Sequence, residues 1–275
     1  MLDFKVDKEN CTRCGLCAAD CPAHVIDTAE GYPLIAAEKE GGCYRCQHCF
    51  AVCPTGAVSI LGLDPEESTP LTGDWRPDPA KLETLMKGRR SVRRYKKENL
   101  EPELMQRLLE VAWHAPTGVN SRQVRFTVID DREKLAAFRE ELLAGIARLV
   151  RDNALPEQFA FFADFVKVWE EQGVDVLFRG APHLLVASVS SKAVSPLQDC
   201  VIALSYFELF AQASGVGTVW DGLAKIAIND LMPESLARLG IPEDHTLGYC
   251  MAFGKPAVHY ARTVQHRGPL IHRVS

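Results

Sequence analysis

No apolar run in the 275 residues approaches the roughly 18 that a membrane helix needs, so no spanning segment is expected. Charge of one sign is scarce as well. The net charge is −5, the pI is about 5.9, and there is no basic block, which argues against nucleic acid as a partner. The first residues, Met1 to Lys8, are charged and have no apolar signal core, so export is not expected and the chain reads as cytoplasmic. Neither an HExxH nor a Ser–His–Asp arrangement is present, and no GxGxxG loop marks a nucleotide fold. A hydrophobic content of 47% rules out a disordered or fibrous chain.

Cysteine is abundant instead. There are ten, eight of them within the first 53 residues. In a chain expected to stay in a reducing compartment, that density points to metal rather than disulfides. Cys11-x-x-Cys14-x-x-Cys17-x-x-x-Cys21-Pro22 recurs 32 residues later as Cys43-x-x-Cys46-x-x-Cys49-x-x-x-Cys53-Pro54. Three cysteines at intervals of three set their sulfurs around one point, which suits an iron–sulfur cube. In two-cluster proteins of this pattern the cysteine before proline serves the other cluster. The expected ligand sets are therefore Cys11, Cys14, Cys17 and Cys53 for one 4Fe–4S cluster, and Cys43, Cys46, Cys49 and Cys21 for the second. Two zinc sites of four cysteines each fit this repeat poorly, because zinc motifs usually pair distant CxxC units. The segment resembles the bacterial two-cluster ferredoxins. His24 and His48 stand beside ligands, where they either tune the clusters through hydrogen bonds or are surface residues. Cys200 and Cys250 sit in apolar patterns and read as core thiols.

Composition divides the chain into a ferredoxin-type domain at 1–62, a Pro-rich linker at 63–80 and a larger domain at 81–275. Four prolines between Leu63 and Pro79 favour extended chain in the linker. Beyond it, helical spacing predicts helices over 82–87, 103–114, 133–150, 157–172 and 198–214. Strands are expected over 126–129, 183–189 and 247–253. Such an alternation suggests an α+β domain, a mixed sheet surrounded by helices.

Two segments of the larger domain carry chemistry. Arg89-Arg90-Ser91-Val92-Arg93-Arg94 is either a solvated basic run or a phosphate cradle of guanidinium groups and a hydroxyl. Ala115-Pro116-Thr117-Gly118-Val119-Asn120-Ser121 joins a helix end to a strand and supplies amides and hydroxyls suited to a flavin edge. The pair resembles the FMN-dependent nitroreductase family, as do Gly180-Ala181-Pro182, Gly215 to Trp220 and Gly248 to Pro256. The resemblance implies a homodimer with FMN at its interface. It implies that Arg89, Arg90, Ser91 and Arg93 hold the phosphate and ribityl chain, that Asn120 contacts the ring, and that Arg262 or Arg267 completes the phosphate site. The family often has glutamine two residues after the asparagine. Here that position is Arg122, with Gln123 next, so either side chain could face the ring. The segment 155–178 holds six aromatics and reads equally as a lid over the flavin or as a core helix.

Together the halves suggest an FMN- and iron–sulfur-dependent oxidoreductase. Electrons would pass from an external donor, ferredoxin or NAD(P)H, through two 4Fe–4S clusters to FMN. A small organic acceptor such as a nitroaromatic or quinone would then take them. The rivals are a flavin dehydrogenase that discharges into ferredoxin and a non-enzymatic electron-transfer adaptor. No residue stands out as a proton donor.

Overall fold

A computed structural model describes residues 2–29 and 31–274. Met1 and Ser275, the ends of the expected domains, lie outside the described residues, as does Glu30. The chain forms two compact units: Met1–Arg76 with Val119–Ser121, and Pro77–Gly118 with Arg122–Ser275.

The first unit repeats itself in structure as in sequence. Strand β1 (Lys5–Val6) is followed by the short helix α1 (Leu16–Ala19) and the antiparallel pair β2 (Ile26–Asp27) and β3 (Leu34–Ile35). The second copy supplies α2 (His48–Ala51) and β4 (Val58–Ser59), which returns to pair with β1. Equivalent residues of the two motifs take left-handed backbone: Arg13 and Gly15 in the first, Arg45 and Gln47 in the second. Each then opens a one-turn helix that buries a cysteine, Cys17 or Cys49. Leu2, Val58 and Ile60 close a small core beneath them.

In the second unit the helices are α3 (Pro79–Gly88), α4 (Pro102–Trp113), α5 (Arg132–Arg151), α6 (Phe162–Gln172), α7 (Pro196–Ala213), α8 (Gly222–Ile226) and α9 (Glu234–Arg238). The strands are β5 (Arg125–Ile129), β6 (His183–Ser190), β7 (Gly217–Trp220) and β8 (His245–Gly254), in the order β5-β6-β8-β7. Among the described residues the strand pairs of this sheet are antiparallel, and an isolated bridge, Ser91–Thr218, is parallel. Residues of β6 alternate between two cores. Leu184 and Val186 face one built with α5 and α6, while Leu185, Ala187 and Val189 face another built with α4 and α7. With both faces covered, the strand is apolar throughout rather than alternating.

The helices α3, α4 and α7 begin one to three residues before the expected positions, because each starts on a proline. Proline suits the first helical position, where its missing N–H has no partner to lose. The expected helix 157–172 is instead a single turn, Glu157–Phe159, followed by α6. Its Phe162 is fully buried, Phe159, Phe165 and Trp169 pack on the same core, and Phe161 is exposed. In this chain the aromatic segment serves the core. Cys200 and Cys250 are fully buried, as their apolar surroundings predict, and burial pushes the Cys200 thiol up to about 12. His24 and His48 are exposed.

Candidate functional site

The eight N-terminal cysteines gather in two groups. Cys11, Cys14, Cys17 and Cys53 line a cavity of about 280 Å³ together with Gly15, Pro33 and Thr55. Burial raises the Cys17 thiol, and the neighbouring Cys53 and Cys14 add to that rise. Burial likewise pushes Cys49 up to about 11, with Cys43, Cys46 and Cys21 contributing. Each group of three thus stands beside the fourth cysteine of the other motif. Backbone N–H groups point at these sulfurs: Arg45 donates to Cys43 Sγ at 3.3 Å and Ala57 to Cys53 Sγ at 3.2 Å. Among the described residues no three Cys, His, Asp or Glu side chains converge tightly enough for one ion. Thiols ringing a space rather than a point, with amides donating to sulfur, fit a 4Fe–4S cube, whose irons each take one thiolate.

In the second unit, β7 positions the arginine segment. Val92 N–H donates to the Thr218 carbonyl at 2.8 Å, and Val92 packs so closely on Gly217 that a Cβ there would lie 2.6 Å from Val92 Cγ2. Val92 is buried, while Ser91 and Arg93 on either side are not. The four predicted residues differ in what they already hold. Arg89 is engaged by Glu208 at 3.0 Å, a buried carboxylate that also accepts from Thr218 Oγ1 at 3.3 Å. Arg90 donates from Nη2 to the Lys87 carbonyl, and its buried Nε has no partner. Arg93 is exposed and donates to the Ser91 carbonyl at 3.3 Å. Beside this segment lies a cavity of about 300 Å³ lined by Gly88, Val92, Gln212, Gly217, His259 and Tyr260, among others. Its tail residues are thus His259 and Tyr260; Arg262 and Arg267 are exposed and do not line it. Gln212, His259, Tyr260 and Glu208 were not predicted. No motif marks them, since they reach this place only through the packing of α7 and the return of the tail.

The loop 117–123 is strained. Val119, Asn120 and Arg122 have φ of 47°, 54° and 52°, and a β-branched residue there is a genuine outlier. Gly118 N–H donates to Asp199 Oδ1 at 2.9 Å. The buried Ser121 Oγ and Asp199 Oδ2 have no partner. Arg122 donates to the carbonyls of Ala115, at 3.1 Å, and of Trp113, and stacks 4.9 Å over the Trp113 ring. Its guanidinium is thereby committed to the C-terminal end of α4, and burial lowers its pKa. Gln123 is exposed. Asn120 directs its amide to the carbonyls of Tyr44 and Arg45, both in the first unit to which Asn120 belongs. The clustered arginines, with the uncommitted Nε of Arg90, fit the phosphate of FMN.

Comparison with known proteins matches these features. The model of the nitroreductase family covers residues 86–255, and that of a 4Fe-4S dicluster domain covers residues 10–58. An iodotyrosine deiodinase of Thermotoga neapolitana is 27% identical over 138 residues, which are 50% of this chain and 72% of that protein. The RNA polymerase subunit Rpo3 of Methanosarcina acetivorans is 40% identical over 52 residues, but the chain spans only 20% of its length. A nitroreductase with bound FMN from Desulfitobacterium hafniense has 25% identity and a TM-score of 0.55, covering 70% of this chain and 98% of that one. With the family model spanning most of the larger unit and the ferredoxin pattern ahead of it, the chain belongs to the nitroreductase family of FMN oxidoreductases and carries an N-terminal 4Fe–4S ferredoxin-type domain.

Proposed function

We propose that the protein passes electrons from an external donor, ferredoxin or NAD(P)H, through two 4Fe–4S clusters to FMN, and on to a small organic acceptor such as a nitroaromatic or quinone. The observation that carries this reading is the grouping of the eight thiols. Each set of three stands beside the fourth cysteine of the other motif, so each can complete a four-thiolate ligand set. When bound, FMN exchanges electrons singly or in pairs, and so joins one-electron carriers to two-electron organic chemistry.

The chain's own residues bind and orient. Arg90 and Arg93 stand on the segment whose Val92 lines the cavity, and their guanidinium groups would be the ones to hold a phosphate there. Ser91, fixed on β7 by its bridge to Thr218, offers a hydroxyl on the same turn. A cavity of about 300 Å³ lies at the lower end of the range for small-molecule sites, as expected where a second subunit completes the wall. Helix α7 exposes Leu197, Val201, Ile202 and Tyr206, an apolar face suited to a second copy of the chain. We place the ferredoxin domain at 1–62 and the flavin domain at 81–275, with the proline-bearing stretch between them as linker.

Anaerobic purification with iron, sulfide and flavin analysis of one sample tests the reading. About eight irons and one FMN per chain are expected for two four-iron clusters and one flavin. Eight irons without flavin, even after FMN is added, would refute it and favour an adaptor. Flavin reduction by a substrate that then reduces the clusters would reverse the direction of flow. Cys53→Ser should damage the cluster of the first motif; damage confined to the second would overturn the crossed ligation.

A further inference from the structure

Asn120 is tied to the second cysteine motif by a specific geometry. Its Nδ2 donates to the carbonyl oxygens of Tyr44 and Arg45, each at 3.0 Å. The Tyr44 carbonyl and the Arg45 N–H are the two ends of one peptide unit, and that N–H donates to Cys43 Sγ at 3.3 Å. The chain of donors therefore runs from the Asn120 amide through a single peptide group to a cysteine sulfur.

Hydrogen bonds in series polarise one another. Donation into a carbonyl draws electron density towards oxygen and makes the N–H of the same amide a stronger donor. A hydrogen bond to a cluster ligand sulfur favours the reduced, more negative state, and so raises the potential. The backbone indicates that the tertiary structure holds Asn120 in place. Both Asn120 and Val119 before it are left-handed, a conformation asparagine tolerates and valine resists. Strain of this kind persists only where surrounding structure imposes it.

We propose that Asn120 is a positioning residue that raises the reduction potential of the cluster held by Cys43, Cys46, Cys49 and Cys21, acting through the Tyr44–Arg45 peptide. This rests on the cluster reading of the two motifs and adds to it a residue 76 positions away from Tyr44 in sequence. Asn120→Gly removes the amide while keeping the left-handed backbone, and Asn120→Asp replaces the donor with an acidic acceptor of the same shape.

The measurement is an anaerobic redox titration followed by EPR on the full chain, with iron and sulfide determined on the same samples. Both variants should keep their iron. In each, half of the reducible cluster signal should move to lower potential, by about threefold to tenfold in the one-electron equilibrium (59 mV for tenfold), with Asp shifted further than Gly. An unchanged potential in iron-replete variants would overturn the proposal and leave the cluster reading intact. So would equal movement of the whole signal, or loss of four irons in both variants, which would show a structural role instead. Wild-type protein that binds no iron and sulfide would refute the cluster reading itself. Because the readout is the cluster signal, it does not depend on whether the variants retain flavin.

Discussion

Replacing Arg89 should cost more in stability than in cofactor affinity. Its Nη1 lies 3.0 Å from Glu208 Oε1, and the Glu208 side chain is only 9% exposed. In Arg89→Ala the carboxylate keeps the Thr218 hydroxyl at 3.3 Å but loses its cation. Breaking a buried pair by removing one partner costs about 3–5 kcal/mol. Arg89 itself is partly exposed, so the low end applies, about 3 kcal/mol. For a domain of this size that is a fall in Tm of about 6–12 °C. The assay is denaturant unfolding followed by tryptophan fluorescence, beside calorimetry, on flavin-free protein. Arg89→Ala/Glu208→Gln should recover about half the loss, because the amide needs no cation. A single variant within about 1 kcal/mol of wild type would refute the reasoning. The consequence for the flavin site is practical. Flavin loss in Arg89→Ala would reflect disturbed folding, whereas Arg90→Ala and Arg93→Ala leave the Glu208 pair in place and probe the phosphate directly.

The other predictions concern titration and close packing. Burial raises the Asp221 carboxyl to about 7, so its proton is held in the folded state and stability falls as pH rises from 3.8 to 7. Burial lowers the His183 imidazole to about 4, while its Nε2 accepts from Leu100 N–H at 2.9 Å, so stability falls as pH drops from 6.5 to 4. The two slopes oppose each other between about pH 4 and 6.5. Asp221→Asn should therefore make stability rise with pH in that window, and His183→Gln should make it fall, by up to about 3–4 kcal/mol across it. Denaturation midpoints at five pH values would check both; parallel curves for wild type and both variants would sink the assignment. Gly217→Ala should push Val92 off β7, destabilise by about 1–3 kcal/mol and weaken FMN binding, with Val92→Ala in the same chain restoring much of the loss. Flavin titration and melting of the two variants decide the matter.

The cluster motifs were legible because thiolate ligation imposes short, fixed spacings that few other functions require. The repeat and the prolines after Cys21 and Cys53 are the grounds for expecting crossed ligand sets. Helices α4, α5 and α7 and strands β5, β6 and β8 announce themselves by periodicity, since each buries a continuous face. Strand β7 and the short α8 and α9 do not, for four or five residues are too few to show a period.

What the chain's sequence determined by itself was local: the paired cysteine motifs, the helices and strands with a clear period, and the arginine run. What only the tertiary structure decided was which of those groups meet. Arg89 is held by a glutamate 119 residues away, and the tail reaches the cavity with His259 and Tyr260 rather than with its arginines. Arg122 closes a helix, and Asn120 is directed at the peptide that donates to Cys43. Hydrogen-bond partners far apart in sequence are chosen by the packing of cores and sheet order, and no spacing rule records them.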